Sequence, residues 1–136
     1  MTSENSTDVA RVNVDPTAAL DSPPQPRSIY FDFDSFTVEA EYQILLKIHA
    51  DFLMSQPEQQ VVIQGNTDPR GSSEYNLGLG ARRANEVAQV FFAIGVTPQQ
   101  VRTVSFGKEH ATGEGEASWT LDRRADLVYS KSGGSS

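Results

Sequence analysis

The chain has 136 residues, of which 38% are hydrophobic, and its formal net charge at pH 7 is -7. This length predicts one folded domain with terminal extensions, and the acidic balance argues against a large nucleic-acid interface, which requires clustered Lys and Arg. The absence of cysteine excludes disulfides, thiolate catalysis and cysteine-based zinc sites.

Residues 1–27 are rich in Ser, Thr, Asn, Asp and Pro and show no sustained hydrophobic periodicity. Such a segment buries too little apolar surface to offset the entropy of ordering, so we predict a disordered linker. It also lacks the charged and apolar regions of a signal peptide. At the other end, residues 131–136 are predicted to form a flexible tail. Residues 28–130 then form the folded domain.

The domain is predicted to begin with a strand, because apolar and polar residues alternate from Ser28 to Asp34. An apolar stripe then predicts a helix with Thr37 as its N-cap and an end before Pro57. His49 is placed near the polar edge of this helix. The stripe consists of Val38, Tyr42, Leu45, Ile48 and Phe52.

Residues 60–65 predict a short central strand with apolar residues on both faces. A second helix follows, with Asn76 as a possible cap and Gly95 at its end; its apolar face consists of Ala84, Val87, Val90, Phe91 and Ile94. Two further strands are predicted at 101–107 and 125–129, with a helical turn between them. The order β-α-β-α-β-β predicts an α+β fold, in which a small mixed four-stranded sheet carries the helices on one face.

The connection between the second strand and the second helix is unusually polar. Asn66, Thr67 and Asp68 follow the carboxyl end of the strand, where β-α units tend to bind ligands. Arg82 and Arg83 are adjacent in the helix, and because successive helical residues point about 100° apart, only one of them can face the loop. Arg binds carboxylates through paired donors, while an Asp attracts an ammonium. The set therefore suits a zwitterion; the alternative is an Asp68–Arg83 salt bridge that only fixes the loop to the helix.

Several longer motifs are specific enough to indicate a family. The segments YFDFDSF, IQGNTDPRGSSEYNLGLGARRANEV, VSFGKE, EASW and RRADLVY resemble the peptidoglycan-associated lipoproteins of the OmpA-like superfamily. The resemblance covers residues 28–130. It implies an OmpA-like domain that binds the meso-diaminopimelate of the peptidoglycan stem peptide non-covalently and without hydrolysis.

The resemblance also implies roles for individual residues. By motif position, Asp68 would bind the ammonium of diaminopimelate and Arg83 its carboxylate. Five further residues match positions that line the same pocket: Phe33, Asp34, Asn66, Thr67 and Leu79. The residues themselves leave plainer roles open, namely packing for Phe33 and Leu79, helix capping for Asp34 and turn stabilisation for Asn66 and Thr67.

The resemblance further implies a place in the Tol-Pal system, with TolB as the chief partner. It places the protein on the periplasmic face of the outer membrane, where it would tether that membrane to the cell wall. The chain has no cysteine that could carry the lipid anchor, and Pro69 and a short loop at 109–118 depart from the family pattern. The alternative is a protein-interaction domain that binds mainly TolB or another periplasmic partner.

The chain shows no pattern typical of a catalytic or metal site. His49 and His110 lack metal-ligand spacing, and no Ser lies in a nucleophile-elbow pattern. Asp32 and Asp34 share one strand face, but the sequence indicates no apolar pocket for a general acid. We therefore predict a protein that is not an enzyme and that needs no cofactor or metal.

Overall fold

The computed structural model describes residues 22–131. Most of the predicted linker and of the predicted tail lie outside this range, so the division of the chain at residues 27 and 130 stays a prediction. Residues 22–27 are described and lie against the domain, where the carbonyl of Arg27 accepts the Leu127 N–H at 2.8 Å. No helix between residues 22 and 131 combines the length and the apolar character needed to cross a bilayer.

The described residues form a mixed four-stranded sheet with three α-helices. In chain order the elements are β1 (Ser28–Tyr30), α1 (Gln43–Ser55), β2 (Gln59–Asn66), α2 (Ser73–Ile94), β3 (Val101–Gly107), α3 (Glu116–Asp122) and β4 (Arg124–Lys131). The strand order is β1-β4-β2-β3. β2 and β3 are parallel, whereas β4 runs antiparallel to both of its neighbours. The predicted α+β class with a mixed sheet is confirmed.

The hydrophobic core lies between α1, α2 and one face of the sheet. Its members come from the helices and from the strands: Ile29, Leu46, Leu53, Val61, Ile63, Ala84, Val87, Phe91, Ala125 and Leu127. The opposite face of the sheet is open, since Val104 and Val128 are exposed there. The helices therefore cover one face only, as the periodicity predicts.

The carboxyl end of β2 and the first turns of α2 approach each other backbone to backbone. A Cβ on Gly65 would lie 1.8 Å from the carbonyl oxygen of Gly80, and a Cβ on Gly80 would lie 2.9 Å from the carbonyl oxygen of Gly65. Because both distances are too short for a Cβ, this approach requires glycine at both positions. This close approach brings the loop after β2 against α2. The loop that carries Asp68 therefore begins beside the helix that carries Arg83.

The start and the buried face of α1 differ from the prediction. Thr37 is not an N-cap, because a 3-10 turn at Ala40–Tyr42 comes first and α1 begins only at Gln43. Ile48 is 40% exposed, whereas His49 is completely buried. The buried face consists of Leu46, His49, Ala50, Phe52 and Leu53. Phe52 of the predicted stripe is therefore buried as predicted, and Tyr42 and Leu45 pack partly against the core, whereas Ile48 does not belong to the buried face.

Remote partners explain the burial of His49. Its Nδ1 lies 2.6 Å from the hydroxyl of Tyr129, and its Nε2 lies 2.9 Å from the carbonyl oxygen of Pro26. A carbonyl can only accept, so Nε2 carries the proton and Nδ1 accepts from Tyr129. Because both ring nitrogens are paired, the imidazole can occupy a core position.

The start of α2 also differs from the prediction, while its end agrees. The N-cap is Ser72, whose hydroxyl accepts the N–H of Tyr75 at 3.0 Å. Asn76 lies within the helix and is not its cap; its side-chain amide donates to the carbonyl of Arg70 at 2.7 Å. Gly95 ends the helix with a φ of 131°, as predicted.

Candidate functional site

A cavity of about 220 Å³ lies between the turn after β1, the loop after β2 and the first turns of α2. It is lined by Phe33, Asp34, Thr67, Asp68, Arg70, Gly71, Tyr75, Asn76, Leu79 and Arg83. Six of the seven predicted site residues are therefore brought together. Asn66 is the predicted residue that lies outside the cavity wall.

Arg83 is a completely buried cation held by backbone carbonyls. Its Nε donates to Ser35 at 2.7 Å, Nη1 to Asn66 at 2.9 Å and Nη2 to Asp32 at 3.1 Å. Burial, and next the nearby Arg123 cation, lower the pKa of Arg83 to about 10, so the guanidinium stays charged at neutral pH. Three of its five N–H groups are used, which leaves two donors for an anion in the cavity.

Asp68 is 4% exposed and is held by two other arginines. Arg70 donates from Nη2 to Oδ2 at 2.8 Å and from Nε to Oδ1 at 3.2 Å, and Arg123 Nη1 lies 3.4 Å from Oδ2. Burial on its own would raise the pKa of Asp68, but the hydrogen bonds from Arg70 and Arg123 outweigh it and the pKa is lowered. Asp68 is thus a carboxylate at neutral pH.

The alternative of an Asp68–Arg83 salt bridge is wrong. Within residues 22–131, Asp68 forms its ion pairs with Arg70 and Arg123, and no carboxylate lies within ion-pair distance of Arg83. Two opposite charges therefore line one cavity without neutralising each other directly. An arrangement of this kind can bind a group that carries both charges.

The turn after β1 supplies Phe33 and Asp34. Asp34 has a φ of 55°, in the left-handed region that non-glycine residues rarely adopt, and its carboxylate accepts the hydroxyl of Tyr75. This hydrogen bond raises the pKa of Tyr75. Phe33 is 58% exposed and faces the cavity, so the alternative of a core role for it is wrong. Asp34 does not cap α1, whose N-cap residue is Tyr42.

Thr67 and Asn66 support the loop mainly through local hydrogen bonds. The Thr67 N–H donates to the carbonyl of Gly107 at 2.9 Å, and its hydroxyl donates to the carbonyl of Asp68 at 3.0 Å. Asn66 donates from its side chain to the Gln64 carbonyl at 3.1 Å, while its own carbonyl accepts from Arg83. Asn66 therefore acts on the site indirectly, through its hydrogen bond with Arg83. Leu79, which is 8% exposed, provides an apolar part of the cavity wall.

Sequence reasoning missed Arg70, Tyr75 and Trp119. The Arg70 guanidinium lies between two aromatic rings, 4.1 Å from the centre of Phe33 and 4.0 Å from that of Trp119. The contact between Asp68 and Arg70 had a local sequence signal, since an Asp side chain commonly accepts the backbone N–H two residues later in an Asx turn. The Asp68 side chain accepts the N–H of Arg70 in this way at 3.1 Å. The role of Trp119 gives no such local signal.

Comparison with known proteins places this chain in a family. The family model described as the OmpA family matches residues 30–119. The chain is 46% identical over 104 residues to the peptidoglycan-associated lipoprotein of Pasteurella multocida, covering 75% of this chain and 69% of that protein. It is 40% identical over 104 residues to the protein of the same name from Haemophilus influenzae, covering 75% and 68% of the two chains.

Solved structures agree with the sequence comparisons. The peptidoglycan-associated lipoprotein from Burkholderia pseudomallei matches with a TM-score of 0.78 at 52% identity, covering 85% of this chain and all of that chain. The C-terminal domain of Helicobacter pylori MotB matches with a TM-score of 0.72 at 18% identity, covering 80% and 88%, and this likeness concerns the fold alone. The chain therefore belongs to the OmpA family, in the branch of the peptidoglycan-associated lipoproteins.

Proposed function

We propose that this protein binds peptidoglycan non-covalently, through the meso-diaminopimelate residue of the stem peptide, in the cavity between Asp68 and Arg83. One observation carries the proposal: a buried carboxylate and a buried guanidinium line a common cavity without pairing with each other. The side chain of diaminopimelate ends in an ammonium and a carboxylate on one carbon. Those two groups match the two charges of the cavity.

Each part of the ligand has a partner in the cavity. The carboxylate would accept the two Arg83 N–H groups that the backbone carbonyls leave unused. The ammonium would lie in the field of Asp68 and of Asp34, the second carboxylate in the wall. The methylene chain would pack on Phe33 and Leu79. None of these contacts makes or breaks a covalent bond, and the protein is not an enzyme.

The family suggests where this binding acts. As a relative of the peptidoglycan-associated lipoproteins, the protein would tether the outer membrane to the cell wall from its periplasmic face, with TolB and other Tol proteins as partners. Many copies on one polymer would raise the overall strength of attachment.

A second candidate function is binding mainly to a periplasmic protein such as TolB. The observation that favours it is Leu77, which is 50% exposed although it lies beside the site. Leu77 lines a neighbouring cavity of about 400 Å³ together with Phe106 and Lys108. Exposed apolar side chains with a charged rim are typical of protein-binding surfaces.

Calorimetric or NMR titration with muropeptides tests the main proposal. We expect Asp68→Asn to weaken binding of a diaminopimelate-type muropeptide by at least about tenfold, as for loss of a hydrogen bond to a charged group. Asp51→Asn is the matched control, because that carboxylate only pairs with Lys47 on the surface of α1. A lysine-type muropeptide should bind more weakly, since it lacks the carboxylate that Arg83 would hold.

The two candidate functions predict different outcomes. Equal affinity for both muropeptides, or no binding by the unaltered chain, would contradict the assignment of the cavity to diaminopimelate. Sedimentation with purified sacculi then separates the alternatives. A protein that stays in the supernatant but binds TolB supports the second candidate.

A further inference from the structure

One guanidinium connects α3 to the proposed ligand site. The side chain of Arg70 is 34% exposed and lines the cavity, and two of its nitrogens bind the two oxygens of Asp68 at 2.8 and 3.2 Å. Its central carbon lies 4.1 Å from the ring centre of Phe33 and 4.0 Å from that of Trp119. Phe33 is itself part of the cavity wall, whereas Trp119 is not.

The α3 segment has a second link to the same carboxylate. Arg123, directly after α3, lies 3.4 Å from Asp68 Oδ2, and it also donates to the Phe31 carbonyl at 2.9 Å and to Glu116 at 3.2 Å. Asp68 is therefore held from its own loop through Arg70 and from α3 through Arg123. Trp119 lies next to the first of these two supports.

The orientation of Asp68 depends on the plane of the Arg70 guanidinium. An arginine side chain on a loop has several freely rotating bonds, and ordering them costs conformational entropy. Two aromatic rings within about 4 Å of the cation hold it by cation–π attraction. Because the two bonds to Asp68 lie in that plane, fixing the plane also fixes the carboxylate. Pro69, between the two residues, restricts the loop backbone further.

We propose that Trp119 is a positioning residue of this site: through Arg70, it holds the Asp68 carboxylate in the orientation that meets the ammonium of the ligand. The identity of the ligand in this inference rests on the proposed function, whereas the contacts of Trp119 and Phe33 with Arg70 do not. A lysine in place of Arg70 would keep the charge but could neither stack between the rings nor bind both oxygens.

The first test needs no ligand. We expect Trp119→Leu to raise the pKa of Asp68, because a mobile Arg70 stabilises the carboxylate less well. An NMR titration of the Asp68 carboxyl carbon measures this pKa. Leu121→Ala is the matched control, since Leu121 lies on the same helix and is 60% exposed; it should leave the titration unchanged. Trp119 is the single tryptophan of the chain, so its fluorescence should also change when Arg70 is replaced by Ala.

The second test is a double-mutant cycle on binding of a diaminopimelate-type muropeptide. Trp119→Leu should weaken binding about two- to fivefold, the range of a partly exposed cation–π contact. In an Arg70→Ala background the same substitution should cost nothing further, because the residue acts through Arg70. Trp119→Phe retains a ring and should keep most of the affinity, which separates loss of the stack from loss of the fold.

The outcomes distinguish this inference from the proposed function. An unchanged Asp68 titration in Trp119→Leu, or losses in the cycle that simply add, overturns the positioning role. Failure of the unaltered chain to bind any diaminopimelate muropeptide contradicts the proposed function instead. In that case the Asp68 titration still decides whether Trp119 acts on Asp68 through Arg70.

Discussion

Asp68 and Arg83 line one cavity, but each is held by partners other than the opposite charge. Asp68 is bound by guanidinium groups and Arg83 by backbone carbonyls, so both orientations exist before a ligand arrives. A salt bridge between Asp68 and Arg83 would have to be broken when the ligand binds, which would offset much of the binding free energy. The arrangement therefore favours a ligand that brings its own pair of opposite charges.

The carbonyl contacts of Arg83 predict that it is as important for folding as for binding. Arg83→Met would remove the arginine donor from the carbonyls of Ser35 and Asn66, whereas the carbonyl of Asp32 keeps the N–H of Ser35 at 3.2 Å. At about 1 kcal/mol or more for each carbonyl that loses this donor, we expect a loss of at least about 2 kcal/mol in the free energy of unfolding. Urea denaturation measures it.

The neighbouring arginine is the control for that experiment. Arg82 is exposed, with its guanidinium 5.3 Å from the ring centre of Phe36, and Arg82→Met should change stability by no more than about 0.5 kcal/mol. Equal losses for the two variants would contradict the structural role of Arg83. A loss of ligand binding in Arg83→Met is informative only when the variant is shown to be folded.

A pair of glycines in α2 tests the close approach of helix and strand. A Cβ at Gly80 would lie 2.4 Å from Ser105 Oγ and 2.9 Å from the Gly65 carbonyl oxygen, whereas one at Gly78 would meet nothing within 4 Å. Gly80→Ala should therefore lower the free energy of unfolding by about 1–3 kcal/mol through overpacking. Gly78→Ala should raise it by about 0.5–1 kcal/mol, because alanine favours the helix. Thermal and urea unfolding measure both; equal effects of the two substitutions would argue against the close approach.

The strands and the end of α2 could be predicted because their signals are local. Local apolar patterns located β2, β3 and β4, and Gly95 marked the helix end. The buried face of α1 could not be predicted in this way, since His49 is buried through contacts with Tyr129 and Pro26 that are 80 and 23 residues away. A histidine on a helix carries no local sign of such partners.

The candidate site also contains some residues that the sequence could predict and others that only tertiary packing places there. Charge and position around the end of β2 indicated Asp68 and one of the two arginines at 82 and 83, the family resemblance selected Arg83, and the cavity contains Asp68 and Arg83. Trp119 and Arg123 were missed, because α3 reaches Asp68 only through tertiary packing. Phe33 continued the strand alternation in the sequence, but β1 ends at Tyr30 and the left-handed turn at Asp34 exposes the ring.

The lowered pKa of Asp68 predicts a loss of stability in acid. The unfolded chain binds a proton at this position near pH 3.8, and the native state does so only at lower pH. The stabilisation is therefore complete above about pH 3.8 and is lost as the pH falls through the native pKa. The free energy of unfolding should fall less between pH 5 and pH 3 in Asp68→Asn than in the unaltered chain. Asp51→Asn should retain the full decline, and an identical decline in all three chains would contradict the role of Asp68.

The buried His49 predicts a second loss of stability in acid (an acid limb), which begins at a higher pH than the loss caused by Asp68. Burial is the main cause that lowers the pKa of His49 below its ordinary value of 6.5, and it outweighs the opposing hydrogen bond to Pro26. As the pH falls below about 6.5, the unfolded chain binds a proton that the native state resists. Stability is therefore complete above pH 6.5 and falls by up to about 1.4 kcal/mol per pH unit below it, until the native histidine also protonates.

Urea denaturation between pH 7.5 and pH 5.5 measures this decline, and His49→Gln should abolish most of it. The variant will also be less stable at pH 7.5, because glutamine cannot reproduce both the contact with Tyr129 and the contact with Pro26, so the comparison concerns the slope with pH. His110→Gln leaves the His49 contacts intact and is expected to retain the decline.

Protonation of His49 Nδ1 would remove the acceptor that the Tyr129 hydroxyl uses. In the native state the Tyr129 hydroxyl resonance should therefore shift only at the lower pH where the native histidine itself protonates and the decline ends. A slope that survives in His49→Gln would assign the acid limb to another group.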